Sequence, residues 1–190
     1  MVKVIDNFLS PSYFNLIEKI CLTELEWNYT ENITDSTFSD NLSRFGFSFP
    51  IHNESGHTMT TFTCVSSGLT HTIMDHVQGK IMLRSRCDMT VCTSEKIMHA
   101  PHVDFEDPYV PNITTIFYIT DNEDAETVIF DKKIRSSEDK TKLDLSDLKI
   151  VEKIDPKRNR LLIFDGDQLH TGHSPSKENR RILINSNYIQ

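Results

Sequence analysis

The segment His99-Ala-Pro-His102-Val-Asp104 brings two kinds of metal-binding side chain close together. If the segment is extended, His102 and Asp104 point to the same side of a strand, because side chains at positions i and i+2 share a face. With a second imidazole they would form one triangular face of an octahedral metal and leave three positions open. That arrangement suits iron(II) that also binds oxygen and a co-substrate. A surface histidine and aspartate beside a turn would give the same short pattern, so the segment alone leaves both interpretations open.

A second imidazole is available in the segment Leu169-His170-Thr-Gly-His173-Ser-Pro175. His170 and His173 are three residues apart, so in an extended strand they point to opposite faces. Only one of them can therefore join His102 and Asp104 on a single ion.

The composition is that of a soluble globular protein, with 37% hydrophobic and 25% charged residues. A chain of 190 residues is long enough for one domain and short for two. Its net charge of −8 argues against non-specific nucleic-acid binding, which needs lysine and arginine. No apolar run approaches the roughly 18–20 residues that span a bilayer, and the first residues lack the apolar segment of a signal peptide. With four cysteines and no CxxC pair, we expect a cytoplasmic protein with free thiols.

The elements that must position these residues change in character near Gly79. Before it, residues 2–5 predict a strand, and apolar residues at helical spacing predict helices over 11–24 and 66–78. After it, runs rich in Val, Ile, Thr and Phe predict strands over 80–93, 98–105, 113–120, 127–130, 160–164 and 181–189. This order predicts one α+β, mainly β domain over 1–190. An N-terminal strand and helices (1–79) would support a jelly-roll core (80–190).

Two connections between the predicted strands carry sequence signals of their own. Residues 135–147 are polar and charged and predict an exposed excursion. Asp165-Gly166 is a hairpin-type turn signal that would return the chain toward the metal.

Because variable loops around a rigid scaffold usually carry specificity, we expect 28–44 and 131–150 to contact the substrate.

The order and spacing of the motifs resemble the prolyl 4-hydroxylase-like branch of the 2-oxoglutarate/iron(II) dioxygenases, in the small type found in bacteria and phages. The resemblance covers roughly residues 80–190. The segments that carry it are His102-Val-Asp104, Ile113-Thr-Thr-Ile-Phe-Tyr118, Thr127-Val-Ile-Phe130, Asn159-Arg-Leu-Leu-Ile-Phe164-Asp-Gly, His170-Thr-Gly and Arg181-Ile-Leu-Ile-Asn185-Ser-Asn187. It implies a double-stranded β-helix with N-terminal helices, in which iron(II) is bound by His102, Asp104 and His170. His170 fits the family's distal position better than His173, since Thr-Gly-x-x-Pro175 follows it.

The resemblance also implies a cation for the C5 carboxylate of 2-oxoglutarate, on the strand after the distal histidine. Arg180 and Arg181 are both eligible, and adjacent strand residues face opposite ways. If Arg181 faces inward, Leu183, Asn185 and Asn187 also line the cavity while Ile182 and Ile184 pack beneath the helices. That division favours Arg181 over Arg180. Tyr118 falls where members of the family place a tyrosine that binds the same carboxylate.

The implied reaction hydroxylates an unactivated C–H bond while 2-oxoglutarate and molecular oxygen are converted to succinate and carbon dioxide. Its substrate would be a prolyl or other peptide residue, or a small molecule. A non-catalytic cupin-like binding module, or a cupin that uses zinc or manganese, is the alternative. No role follows for Arg84 and Arg86, which suggest an exposed charged strand face, or for His99, which suggests a surface or cleft residue. The sequence predicts neither a membrane partner nor an oligomeric state.

Overall fold

The computed structural model describes residues 2–34, 45–52, 60–105, 110–136, 139 and 143–190. Within these ranges the chain forms two α-helices, α1 (Pro11–Thr23) and α2 (Thr61–His76). The strands are β1 (Val2–Ile5), β2 (Asn28–Thr30), β3 (Gly46–His52), β4 (Ile81–Val91), β5 (Ile97–Met98), β6 (Asn112–Tyr118), β7 (Thr127–Lys133), β8 (Ile150–Ile154), β9 (Arg160–Asp165), β10 (Gln168–Thr171), β11 (His173–Ser174) and β12 (Arg180–Ile189).

The two longest strands, β4 and β12, pair in the middle of a seven-stranded antiparallel sheet, the major sheet. Its strand order is β1-β9-β6-β12-β4-β3-β2. Alternation along β12 gives the sheet two different faces. Ile182 and Ile184 belong to the apolar cluster that contains the helices, whereas Arg181, Leu183 and Asn185 line a cavity on the opposite face.

A second antiparallel sheet, the minor sheet, has the order β10-β7-β8. Ile129 and Ile154 of this sheet pack with Ile116 and Leu162 of the major sheet, so the two sheets form a sandwich. The cavity between them is lined from both sides. This arrangement, with two helices on the outer face of the major sheet, is a mainly β double-stranded β-helix, and the predicted fold class is confirmed.

The helices begin at recognisable local signals. Pro11 occupies the first position of α1, where its fixed φ suits a helix and its missing N–H costs nothing. At the start of α2, the Thr60 hydroxyl accepts from the Thr63 N–H at 3.1 Å, and the Thr63 hydroxyl accepts from the Thr60 N–H at 2.8 Å. This capping box explains why α2 starts at Thr61 and not at 66 as predicted. Among the described residues, no helix has the length and apolarity needed to cross a membrane.

Three other stretches differ from the sequence predictions. The strand expected over 98–105 is confined to Ile97–Met98, and His102 joins a sheet only through one isolated bridge to His170. The excursion 135–147, of which 137, 138 and 140–142 lie outside the described residues, is followed by β8, a strand that the sequence did not predict. The turn at Gly166 and Asp167 does not close a hairpin, because β9 belongs to the major sheet and β10 to the minor sheet.

Asn159 joins the segment before α1 to the start of β9. Its side-chain amide donates to the Leu9 carbonyl at 2.9 Å and its side-chain oxygen accepts from the Leu9 N–H at 2.8 Å. Its backbone has a φ of 61°, in the left-handed region that asparagine and glycine tolerate better than other residues. The residue is buried, so both hydrogen bonds replace bonds to water.

We expect Asn159→Ala to lower the free energy of unfolding by about 2–4 kcal/mol. The substitution removes two buried hydrogen bonds, and alanine is strained in the left-handed backbone conformation of this position. Asn159→Gly is the matched control, because it loses the same hydrogen bonds but adopts this backbone freely. It should be more stable than the alanine variant by about 1 kcal/mol in urea unfolding. Equal stability of the two variants would contradict the backbone part of this explanation.

Candidate active site

The structure brings His102, Asp104 and His170 together, with one potential ligand atom of each lying within 4.8 Å of the others. The two histidines face each other because their backbones form a reciprocal pair. The His102 N–H donates to the His170 carbonyl at 2.8 Å, and the His170 N–H donates to the His102 carbonyl at 3.0 Å. Their rings stand 4.5 Å apart between centroids. The third histidine weighed from the sequence, His173, is not part of this group.

Each imidazole of the triad is oriented by a backbone carbonyl. Nδ1 of His102 lies 3.1 Å from the Ala100 carbonyl, and Nδ1 of His170 lies 3.1 Å from the Gln168 carbonyl. A carbonyl only accepts, so each Nδ1 carries the proton and each Nε2 presents a lone pair. Burial lowers the pKa of His102 to about 3, with the neighbouring imidazole of His170 adding to the effect, and burial also lowers the pKa of His170. Neutral imidazoles with a fixed tautomer are the form that binds a metal ion.

The Asp104 carboxylate is buried, with 3% of its side chain exposed. The Arg84 guanidinium donates to Oδ1 at 2.9 Å, and the Asn187 amide donates to Oδ2 at 2.8 Å. Longer bonds arrive from Asn185 and Thr114. Burial alone would raise the pKa of Asp104, but Arg84 and the two imidazoles hold it well below its usual range. The carboxylate is therefore ionised and held in one orientation.

A second group of polar side chains surrounds Arg181, near the start of β12. Arg181 is 6% exposed and its guanidinium donates to the Thr127 hydroxyl at 2.8 Å. The fully buried Tyr118 donates to the same hydroxyl at 2.6 Å, and the guanidinium stands 5.7 Å from the Tyr118 ring centroid. A Cβ at Gly172 would lie 3.2 Å from a guanidinium nitrogen, so this glycine leaves room for Arg181. Nε of Arg181 finds no hydrogen-bond partner among the described residues, which marks the group as one that can receive a ligand.

Both groups face one cavity of about 570 Å³, solvent at its mouth included. The wall on the β4 side contains Arg86, Asp88 and Thr90. Ile33 and Thr34 also line it, from the stretch 28–44 that was expected to carry specificity; residues 35–44 of that stretch lie outside the described part.

The two β4 arginines are half-buried and paired, so an exposed charged strand face was the wrong expectation. Arg84 binds Asp104, and Arg86 lies with Nε 2.6 Å from Oδ1 of the buried Asp88. Burial raises the pKa of Asp88, although Arg86 and Arg84 oppose that effect. Both arginines point into the face of the major sheet that carries the candidate site.

His99 and His173 are buried beside the site. His99 is 2% exposed, lines the cavity and lies with Nε2 2.9 Å from the Ser174 hydroxyl. His173 is 9% exposed, and its Nδ1 lies 3.1 Å from the Glu126 carbonyl. It belongs to β11, which Gly172 separates from β10.

Three residues of the site received no individual role from the sequence. Thr127 and Thr114 were visible only as members of predicted strands, and Arg84 only as part of a charged strand face. Nothing in a single sequence distinguishes a strand threonine that accepts two hydrogen bonds from one that faces solvent. The alternation that placed Asn185 and Asn187 inside could have indicated the inward face of β4, had its register with β12 been known.

No protein-family model matches the chain, and the comparison with curated proteins found no match. Solved structures match over nearly its whole length. A prolyl hydroxylase from Trichoplax adhaerens, in complex with a peptide fragment of the hypoxia inducible factor oxygen degradation domain, is 14% identical with a TM-score of 0.65, over 99% of this chain and 83% of that one. HygX from Streptomyces hygroscopicus, with nickel, 2-oxoglutarate and hygromycin B bound, is 12% identical with a TM-score of 0.62, over 99% and 82%. The non-heme alpha ketoglutarate dependent epimerase SnoN from nogalamycin biosynthesis is 8% identical with a TM-score of 0.67, over 100% and 77%. The resemblance found in the sequence is thereby confirmed at the level of the fold.

We expect the metal-free protein to bind one iron(II) per chain under anaerobic conditions, and His102→Ala, Asp104→Ala and His170→Ala each to abolish stoichiometric binding. His173→Ala is the matched control, since it removes a neighbouring buried imidazole that lies outside the triad. The measurement is the iron content per chain of each variant after gel filtration. Retention of iron by His170→Ala, together with its loss in His173→Ala, would show that the wrong histidine has been assigned.

Proposed function

We propose that the protein is an iron(II)- and 2-oxoglutarate-dependent oxygenase of the prolyl 4-hydroxylase-like type, which hydroxylates an unactivated C–H bond. The observation that carries the proposal is the pairing of two sites in one cavity. One end holds two neutral imidazoles and one ionised carboxylate, and the other holds a buried guanidinium beside a tyrosine and a threonine. Such an oxygenase requires two groups in one cavity. A metal binds the keto-acid end of the co-substrate, and a cation binds its far carboxylate.

The residues present fit both groups. His102, Asp104 and His170 would hold the iron, and their Nε2 atoms and carboxylate are already oriented by hydrogen bonds from outside the triad. Arg181 and Tyr118 would bind the C5 carboxylate of 2-oxoglutarate, the guanidinium through a charge-assisted pair. Bound iron and 2-oxoglutarate would reduce oxygen and oxidise the substrate, releasing succinate and carbon dioxide.

The chain's own residues contribute orientation and exclusion of water. Asn185 and Asn187 hold the Asp104 carboxylate from β12, the strand that also carries Arg181, so the two ends of the cavity are fixed on one rigid element. Leu183 lies between Arg181 and Asn185 on the same face of β12, and Ile116 lines the cavity from β6. These apolar side chains keep the space between the triad and Arg181 poor in water, which protects a strong oxidant from unproductive reaction.

A cupin-like binding module, the alternative from the sequence, would need a metal site but no buried cation beside it. Keeping Arg181 almost fully buried without a carboxylate partner is costly, because a desolvated charge loses its hydration. That cost is offset when a dianionic co-substrate binds. A prolyl residue in a peptide and a small molecule are both substrates compatible with the fold and the cavity.

The test of the function is anaerobic addition of iron(II) and then 2-oxoglutarate to the purified protein. A visible charge-transfer band should appear only when both are present, and admission of air should release succinate with the loss of that band. Absence of the band at saturating iron would overturn the proposal, since it would show that no keto acid chelates the metal.

We further expect Arg181→Ala to weaken 2-oxoglutarate binding by about 2–5 kcal/mol, because the C5 carboxylate would remain buried without its partner. Arg180→Ala is the matched control, as Arg180 occupies the adjacent position on β12 and so faces away from Arg181. Titration of the charge-transfer band gives both dissociation constants. The reverse ranking would show that the wrong face of β12 has been assigned to the co-substrate.

A further inference from the structure

We propose that the substrate carries a carboxylate close to the C–H bond that is oxidised, and that Arg86 binds this carboxylate. The inference rests on the proposed function, because it names the substrate class of the same cavity. The expected substrate is an amino-acid residue whose amino group is acylated and whose own carboxylate is free.

The register of β12 and β4 places Arg86 at the metal end of the cavity. Asn185, which donates to Asp104, pairs with Arg86, whereas Arg181 pairs with Thr90. Residues two apart on one strand face are separated by roughly 6–7 Å, so the pairs that contain Arg181 and Asn185 lie about 13 Å apart along β12. 2-Oxoglutarate would extend from Arg181 toward the triad. Arg86 therefore stands beside the metal and away from the site of the co-substrate.

The guanidinium of Arg86 is fixed in the cavity wall and keeps donors for a ligand. Nη2 donates to the Ile33 carbonyl at 3.2 Å, and Nε lies 2.6 Å from Oδ1 of Asp88. The buried Nε–H is therefore close to a carboxylate but does not point at it, and it makes no hydrogen bond to a described residue. A guanidinium has five N–H donors, so these two contacts leave several donors that are not used by any described residue.

The charges around the cavity favour an anion with a single negative charge. Among the described residues around the cavity, three arginines (Arg84, Arg86 and Arg181) stand against two aspartates (Asp88 and Asp104), which leaves one positive charge. Iron(II) raises this excess to three, and the 2-oxoglutarate dianion lowers it to one. A carboxylate on the substrate neutralises that remaining charge. A phosphate group, with a charge of about −1.5 to −2 at pH 7, overshoots it, and an ammonium group would add to it.

The experiment measures binding to a protein that cannot turn over. Zinc replaces iron, because it has no redox chemistry and binds the same ligand types. The probes are the N-acetyl derivatives of the twenty amino acids as free acids and as primary amides, with AMP and adenosine as the phosphate pair. Calorimetric titration into the zinc- and 2-oxoglutarate-loaded protein gives a ratio of acid to amide affinity. We expect at least one acid to bind about tenfold to a hundredfold more tightly than its amide, the difference typical of charge-assisted hydrogen bonds.

Two variants assign that ratio to Arg86. Arg86→Gln should bring the ratio for that acid close to one. Asp88→Asn removes the negative charge that competes for the guanidinium and should raise the ratio above that of the wild type, an increase that structural damage would not produce. Arg158→Gln is the matched control, since Arg158 is an ion-paired arginine bound to Glu18 and does not line the cavity. It should leave the ratio unchanged.

The results separate this inference from the proposed function. Failure of the zinc-loaded protein to bind 2-oxoglutarate counts against the function, and the acid-to-amide ratio is then read with zinc alone. The inference is overturned if no acid binds, if acids and amides bind equally, or if AMP binds and the acids do not. A ratio that survives in Arg86→Gln also overturns it. If Arg86→Gln does not fold, Asp88→Asn decides the question, and an unchanged or lower ratio in that variant refutes the role of Arg86.

Discussion

The buried carboxylate of Asp104 is the constraint on which the arrangement of the site depends. A carboxylate taken out of water must be paired and hydrogen-bonded, or it protonates. Its partners come from three adjacent strands of the major sheet, Arg84 from β4, Thr114 from β6 and Asn187 from β12. The segment that carries Asp104 is not a regular strand, so these bonds fix it to the major sheet. The backbone pair between His102 and His170 fixes the same segment to the minor sheet. The candidate metal site therefore lies where the two sheets are joined.

The same constraint explains why a strand in the middle of the protein has a polar face. Alternate residues of β12 turn inward and, apart from Leu183, are polar, whereas Ile182 and Ile184 are fully buried beneath the helices. Asn185 and Asn187 are satisfied in part by Asp104, but Arg181 has no carboxylate within ion-pair distance among the described residues. A purely structural strand would gain stability from an apolar residue at that position. The buried guanidinium is therefore best explained by a ligand.

Much of this arrangement could be predicted from the sequence. Alternation along residues 181–187 predicts the two faces of β12, and the i, i+2 spacing of His102 and Asp104 predicts that they act on one side. The conformation between 98 and 105 could not be predicted, because apolar and polar residues there suggest a strand while Pro101 removes a backbone donor. The start of α2 was missed for a related reason, since its first turn is set by threonine hydroxyls and not by apolar spacing. Contacts between sheets, such as that of Arg181 with Thr127, depend on register and packing that local patterns do not contain.

The strand order separates the general part of the candidate chemistry from the part that selects a substrate. From the centre of the major sheet toward one edge, the order is β12, β4, β3 and β2. β12 holds the residues that are proposed to bind the co-substrate and those that bind the Asp104 carboxylate. β4 contributes Arg86 and Asp88, and the chain after β2 contributes Ile33 and Thr34 to the mouth of the cavity. Changes toward that edge alter the wall against which a substrate packs without moving the triad or Arg181. Since the two central strands are tied together along their whole length, the edge can vary while the reactive centre keeps its geometry.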